Sequence, residues 1–188
     1  MMKKISYFAI LPLMLLLLSG CLVRALNPWL SDATKVKDIS LAGVWYDEKS
    51  DVAAFFAQDG NNYRLMVVND RKDTACYVAS LHRLDGKLLM EIGPDTRPEM
   101  TAATLPAFLL FRVEMDKDSM LFYTIDLENF GCQLENSKIV KAVSGNKKNG
   151  FVLNSGTDEL TEFVTAKLRE PNFFYSKPMY QFRKISMK

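Results

Sequence analysis

The feature that most constrains the fold is a series of short apolar runs separated by turn-forming residues. Each run holds about four to ten residues, which suits a β-strand, because a helix in a globular domain usually needs ten or more. Gly, Asn and Asp fill the gaps, for example at 59–62 and 145–150, and they tolerate the positive φ angles of tight turns. We predict strands at 41–46, 52–57, 63–69, 75–84, 87–92, 108–115, 120–125, 138–143, 151–154 and 180–185.

Alternation within the runs indicates sheets with one packed face. On the strand predicted at 108–115, the apolar side chains share one face: Leu109, Phe111, Val113 and Met115. Arg112 and Glu114 fall on the opposite face, in keeping with the two-residue period of a strand. Many short antiparallel strands are typical of barrels and sandwiches, and closing a sheet removes its exposed edges. The sequence therefore predicts an all-β chain, folded as an antiparallel barrel or half-barrel of about 8–10 strands.

One helix interrupts the strands near the C-terminus, at about 157–169. Ser155 or Thr157 can cap it, and acidic residues at its start suit the positive end of the helix dipole. One face is apolar, and Pro171 ends the helix. A weaker helix signal spans 127–133.

The N-terminus has the pattern of an export signal. Lys3 and Lys4 precede an apolar run at 10–18, which is too short to span a bilayer of about 30 Å. The run ends in the four residues Leu18, Ser19, Gly20 and Cys21. This arrangement resembles the lipobox of bacterial lipoproteins, which implies cleavage before Cys21 and attachment of acyl chains to it. We expect a signal peptide at 1–20, a lipidated tether at 21–38 and a single β-rich domain at 39–188.

The residues after the lipobox bear on location. The lipoprotein resemblance implies that Leu22, in place of an Asp, directs the protein to the outer membrane of a Gram-negative cell, facing the periplasm. In the tether, Trp29 and Leu30 either rest against lipid or pack on the barrel, and both possibilities stay open.

The triplet Gly43-Val44-Trp45 resembles the G-x-W motif of the lipocalin and lipocalin-like barrels. The late helix and the closing strand follow the same order, and the layout is also similar to that of uncharacterised bacterial lipoproteins. The resemblance implies an eight-stranded antiparallel barrel that is closed where the Trp packs near a C-terminal Arg. In this chain those positions are Gly43, Trp45 and Arg183.

Few residues suggest chemistry. His82 is the single histidine, so no multi-histidine metal site is expected. We find no catalytic constellation and predict a protein without cofactor or metal that is not an enzyme. Asp126 and Glu128 are more consistent with a solvated loop than with paired catalytic carboxylates. Without residues 1–20 the chain has 22 basic and 22 acidic residues and no net charge. Nucleic acid is therefore not an expected partner.

Two cysteines remain once Cys21 is acylated. An oxidising envelope allows Cys76 and Cys132 to form a disulfide, and two buried free thiols are the alternative.

Two functions fit these observations. The first is a membrane-anchored interaction or structural module of the cell envelope, in which the barrel is packed solid and the partner is another envelope protein. The alternative is lipocalin-like binding of a small apolar ligand or lipid inside the barrel. The candidate lining residues are Phe55, Tyr63, Leu65, Tyr77, Leu109, Phe111 and Phe122.

Overall fold

A computed structural model describes residues 22–95, 107–146 and 148–185. Strands form most of the described chain, and their bounds are β1 Val23–Ala25, β2 Lys35–Val36, β3 Gly43–Asp47, β4 Val52–Asp59, β5 Asn62–Val68, β6 Thr74–Leu84, β7 Lys87–Pro94, β8 Phe108–Met115, β9 Ser119–Thr124, β10 Ala142–Asn146, β11 Gly150–Leu153 and β12 Tyr180–Ile185. The two α-helices are α1 Leu127–Glu135 and α2 Thr157–Lys167, and two short 3-10 turns lie at Asp32–Thr34 and Ile39–Leu41.

Eight of the strands close into an antiparallel barrel. Their order around the ring is β8-β7-β6-β5-β4-β3-β12-β9, and β9 pairs again with β8 to close it. Every strand of the ring therefore has two hydrogen-bonded neighbours, which removes the open edges of the sheet. The predicted all-β antiparallel barrel is confirmed, and it is a closed barrel of eight strands.

Three further strands extend the sheet beyond the barrel at β8. Strand β1 lies between β8 and β11, antiparallel to the first and parallel to the second, and β10 pairs with β11 at the outer edge. The two-residue strand β2 pairs separately with β6. The sequence predicts neither β1 nor β2, because strands of three and two residues carry no alternation of their own.

The barrel wall separates two apolar cores. The interior core fills the barrel, whereas the outer core lies between the wall at β7, β8 and β9 and the helices. Strand β8 serves both cores, since Phe111 and Val113 point inward and Leu110 points outward. The inward face predicted for this strand is confirmed.

The helices cover the outer core. Asp126 caps α1 by accepting a hydrogen bond from Glu128 N at 2.9 Å, and Phe130 of this helix is fully buried. Helix α2 begins after Gly156, whose amide donates to Glu159 Oε2 at 3.0 Å. The prediction that Ser155 or Thr157 caps this helix is wrong by one residue, since the cap position is Gly156.

The segment predicted as the N-terminal tether packs on the folded body from Leu22 onward. Trp29 and Leu30 are buried in the outer core, at 0% and 1% exposure. Trp29 Nε1 donates to Phe108 O at 2.9 Å. Of the two possible positions for these side chains, packing on the barrel is the one observed.

Candidate functional site

Aromatic and aliphatic side chains fill the barrel interior. Six of the seven predicted lining residues belong to the interior core or pack against it: Tyr63, Leu65, Tyr77, Leu109, Phe111 and Phe122. The rings of Phe111 and Phe122 are 5.4 Å apart edge to face, and the rings of Phe122 and Phe182 are 5.5 Å apart. Such distances are those of rings in direct contact. The residues are brought together as predicted, and they pack on one another.

The prediction for Phe55 is wrong. Ala54 and Phe56 belong to the interior core, so the two-residue period places Phe55 on the outer surface of the barrel. The sequence has an apolar residue at every position from 52 to 57, and no polar residue marks which face is outside.

Trp45 lies at the closed end of the barrel, but its cationic partner is Lys184. The ammonium of Lys184 is 5.1 Å from the centre of the Trp45 ring, and the two residues are paired across β3 and β12. The prediction that Arg183 is this partner is wrong. Phe182 points into the barrel, so the side chain of Arg183 points outward and is exposed, and its backbone pairs with Tyr46. Gly43 has φ +132°, and a Cβ there would be 3.0 Å from Lys184 Cε, so its lack of a side chain gives the lysine room.

This end of the barrel is covered by the 3-10 turn Ile39–Leu41 and by Asp38, which precedes it. Leu41 is fully buried in the interior core, and its carbonyl accepts a hydrogen bond from Trp45 Nε1 at 2.8 Å. Tyr63 reaches the same end, since its hydroxyl donates to Asp38 O and accepts from Asp38 N, both at 2.9 Å. These bonds satisfy the polar atoms of two large interior side chains.

A buried polar cluster lies on the outer surface of β6 and β7, beneath the N-terminal segment. His82 is fully buried, with Nδ1 at 2.8 Å from Thr34 Oγ1 and Nε2 at 2.9 Å from Ser80 Oγ. Glu91 Oε2 accepts hydrogen bonds from two consecutive amides, Trp29 N and Leu30 N. We call these groups, Thr34, Ser80, His82 and Glu91, the clasp cluster, because they tie residues 29–34 to the barrel wall.

Burial governs the charges of the clasp cluster. Desolvation lowers the pKa of His82 from 6.5 to about 4, so that the imidazole is neutral at pH 7. Desolvation also raises the pKa of Glu91 from 4.5 to about 7, although the two amide bonds partly oppose this shift. His82 is thus a buried, hydrogen-bonded structural residue.

An apolar row crosses the outer surface of the barrel on the side away from the helices. Backbone pairing puts its members side by side across β12, β3, β4, β5 and β6: Ile185, Val44, Phe55, Met66 and Cys76. Ile185 is 46% exposed and Met66 37% exposed, and the other three are half-buried. We call these five residues the outer row. A groove of about 250 Å³ adjoins it and is lined in part by Phe55, Arg64, Met66 and Cys76.

The remaining candidate residues have structural roles. Cys76 and Cys132 are free, the first half-buried in the outer row and the second exposed on α1. The disulfide is therefore not formed in the structure, and only one of the two thiols is buried even in part. The polar stretch at 145–150 lies in a hairpin, as expected: Asn146 at the end of β10 pairs with Gly150 at the start of β11, and residues 148 and 149 lie in the turn between them.

The described ranges contain no metal-type cluster of three or more His, Cys, Asp or Glu side chains. Within the same ranges, no helix combines the length and hydropathy needed to cross a membrane. Leu18, Ser19, Gly20 and Cys21 lie outside the described residues. No protein-family model, no curated protein and no solved structure matches this chain.

Proposed function

We propose that this chain is a lipid-anchored protein of the bacterial envelope whose packed barrel presents its outer surface to another envelope protein. The observation that carries the proposal is the outer row, which sets five apolar side chains in register on a face that the helices leave open. Charged residues flank it, among them the exposed ion pair of Arg64 and Asp59, 2.9 Å apart. An apolar centre with a polar rim is the usual anatomy of a protein–protein interface.

The lipobox supports attachment to a membrane. Acylation of Cys21 by two or more chains would hold the protein stably, because a single chain binds a bilayer only marginally. Leu22 and Val23 already contact β11, so the anchored barrel would lie close to the bilayer. The residue after the cysteine favours the outer membrane if the cell is Gram-negative, with the barrel facing the periplasm.

The ring order favours a protein rather than lipid as the occupant of the outer row. The N-terminal strand β1 pairs with β8, and β4, which carries Phe55, is four strands away from β8 in either direction. The row therefore lies across the barrel from the strand that follows the anchor. A surface on that side is available to a protein partner while the anchor is in the membrane.

Binding of a small apolar ligand or lipid inside the barrel is the second candidate function. An eight-stranded barrel either fills with side chains or holds one small ligand. Here a ligand would have to separate rings that are in contact, such as Phe111 and Phe122. The packing of the interior thus supports a scaffold more than a binding cavity.

Crosslinking in intact cells tests the proposal. A photoreactive residue at Met66 should yield an adduct with one envelope protein, and the same residue at the exposed Glu128 on α1 should not. Phe55→Ser should suppress the Met66 adduct without changing the circular dichroism spectrum. Equal adducts from both positions would contradict an interface at the outer row. Saturable uptake of one fatty acid per delipidated molecule would instead favour ligand binding inside the barrel.

A further inference from the structure

The β10–β11 hairpin lies directly beside Leu22, the residue that follows the proposed anchor at Cys21. Phe151 N donates to Leu22 O at 3.2 Å, and Val23 pairs with Phe151 in the parallel β1–β11 ladder. Gly150 has φ +76°, and a Cβ there would overlap the carbonyl oxygen of Leu22. Only a glycine permits this approach, so the residue after Cys21 is fixed against the base of the hairpin.

The hairpin and its flanks carry positive charge only. Residues 136–157 contain four lysines and no Asp or Glu: Lys138, Lys141, Lys147 and Lys148. The chain from residue 21 onward has 22 basic and 22 acidic residues, so the rest of it has an acidic excess. Lys147 lies outside the described residues, and the other three lysines are exposed.

The hairpin is exposed to solvent and accessible to a membrane surface. All five residues of β10 are exposed, and Val143 is 64% exposed. Among the described strands, β10 pairs only with β11 and ends the sheet. Arg24 in β1 adds a cation nearby, and its Nε and Nη2 are buried without a hydrogen-bond partner among the described residues.

We propose that the β10–β11 hairpin is a membrane-docking surface that binds the phosphates of anionic lipid headgroups next to the anchor. This inference rests on the proposed acylation of Cys21. One residue spans at most about 3.5 Å, so an acylated Cys21 would place the base of the hairpin within a few ångströms of the headgroups. Charges at that range act within the Debye length of about 8 Å, and each lysine then strengthens binding about fivefold.

Fluorescence quenching in vesicles tests the docking. The acylated mature protein, with Cys76→Ser and Cys132→Ser, is reconstituted into phosphatidylcholine vesicles with or without phosphatidylglycerol. An environment-sensitive dye is attached through Val143→Cys, or through Met66→Cys in the outer row as the matched position. We expect bromolipids to quench the dye at 143 at least about threefold more than the dye at 66, only when phosphatidylglycerol is present and less in high salt.

Two charge variants complete the experiment. Replacing the three described lysines of this segment, Lys138, Lys141 and Lys148, by glutamine should abolish the difference in quenching. A control with the same loss of charge should retain it, and its three exposed substitutions are Lys37→Gln, Lys49→Gln and Lys117→Gln.

Flotation of the vesicles distinguishes failure of the docking from failure of the anchor. Protein that floats but shows equal quenching at 143 and 66 would overturn the docking proposal alone. Wild-type protein that reaches the membrane fraction of cells without an acyl group, or fails to reach it, would overturn the anchor and the docking together.

Discussion

The buried pair His82 and Glu91 should give this protein two opposing pH dependences that nearly cancel. The pKa of His82 is lowered from 6.5 to about 4 by desolvation. The unfolded chain therefore binds the proton more readily, and the stabilising contribution of the neutral imidazole, full above pH 6.5, is lost as the pH falls toward 4. A shift of this size corresponds to about 3 kcal/mol of unfolding free energy.

Glu91 acts in the opposite direction. Its pKa is raised from 4.5 to about 7 by desolvation, so the folded protein holds the proton more tightly than the unfolded chain does. The contribution of the protonated carboxyl is full below pH 4.5 and is lost as the pH rises toward 7, again by about 3 kcal/mol. Between pH 4.5 and 6.5 the two slopes oppose each other, and their sum is nearly flat.

Single substitutions should reveal the separate pH dependence that His82 and Glu91 each give to the unfolding free energy. His82→Gln removes the histidine titration, so the unfolding free energy should fall by about 3 kcal/mol between pH 4.5 and 7 relative to wild type. Glu91→Gln retains an oxygen that can accept from the Trp29 and Leu30 amides, and its unfolding free energy should fall by a similar amount from pH 6.5 to 4 relative to wild type. Urea unfolding of the mature protein, followed by tryptophan fluorescence across pH 4 to 7.5, measures both. Variants whose pH slopes match that of wild type would refute this reasoning.

Three further outcomes are expected. Lys184→Met should lower the unfolding free energy by about 1–2 kcal/mol, because it removes the contact with Trp45, whereas Arg183→Met should change it by less than about 0.5 kcal/mol; urea unfolding compares the two. Gly150→Ala should be more destabilising than Gly60→Ala by thermal unfolding, since both have positive φ but only position 150 meets backbone atoms, and equal losses would contradict the packing of Leu22. Both remaining thiols should be alkylated without reductant in the mature protein, with Cys132 faster, and a peptide map that shows them bridged would contradict the structure.

The alternation of polar and apolar residues along the sequence was enough to predict most strands of the barrel. The predicted strands 108–115 and 180–185 match β8 and β12 residue for residue, because polar and apolar positions alternate over much of each strand. The choice between Arg183 and Lys184 was open to the same reasoning. Tyr180 and Phe182 alternate with polar residues, and this alternation places Lys184 inside.

The parts that the sequence did not reveal depend on distant partners. Strand β1 exists because β8 and β11 lie on either side of it, and its residues pair with positions far along the chain, such as Ala25 with Phe108 and Val23 with Phe151. The clasp cluster is similar, because His82 and Glu91 are buried only where residues 29–34 cover them. In the outer row, Phe55 follows and precedes apolar residues, so no local signal identifies it as the surface residue.

The most direct test of the proposed anchor is the mass of the N-terminal peptide of the protein isolated from bacterial membranes. We expect the mature chain to begin at Cys21 and to carry a diacylglyceryl group on its sulfur, with residues 1–20 removed. A peptide that begins at Met1, or a Cys21 with an unmodified thiol, would contradict the anchor and the envelope function that depends on it.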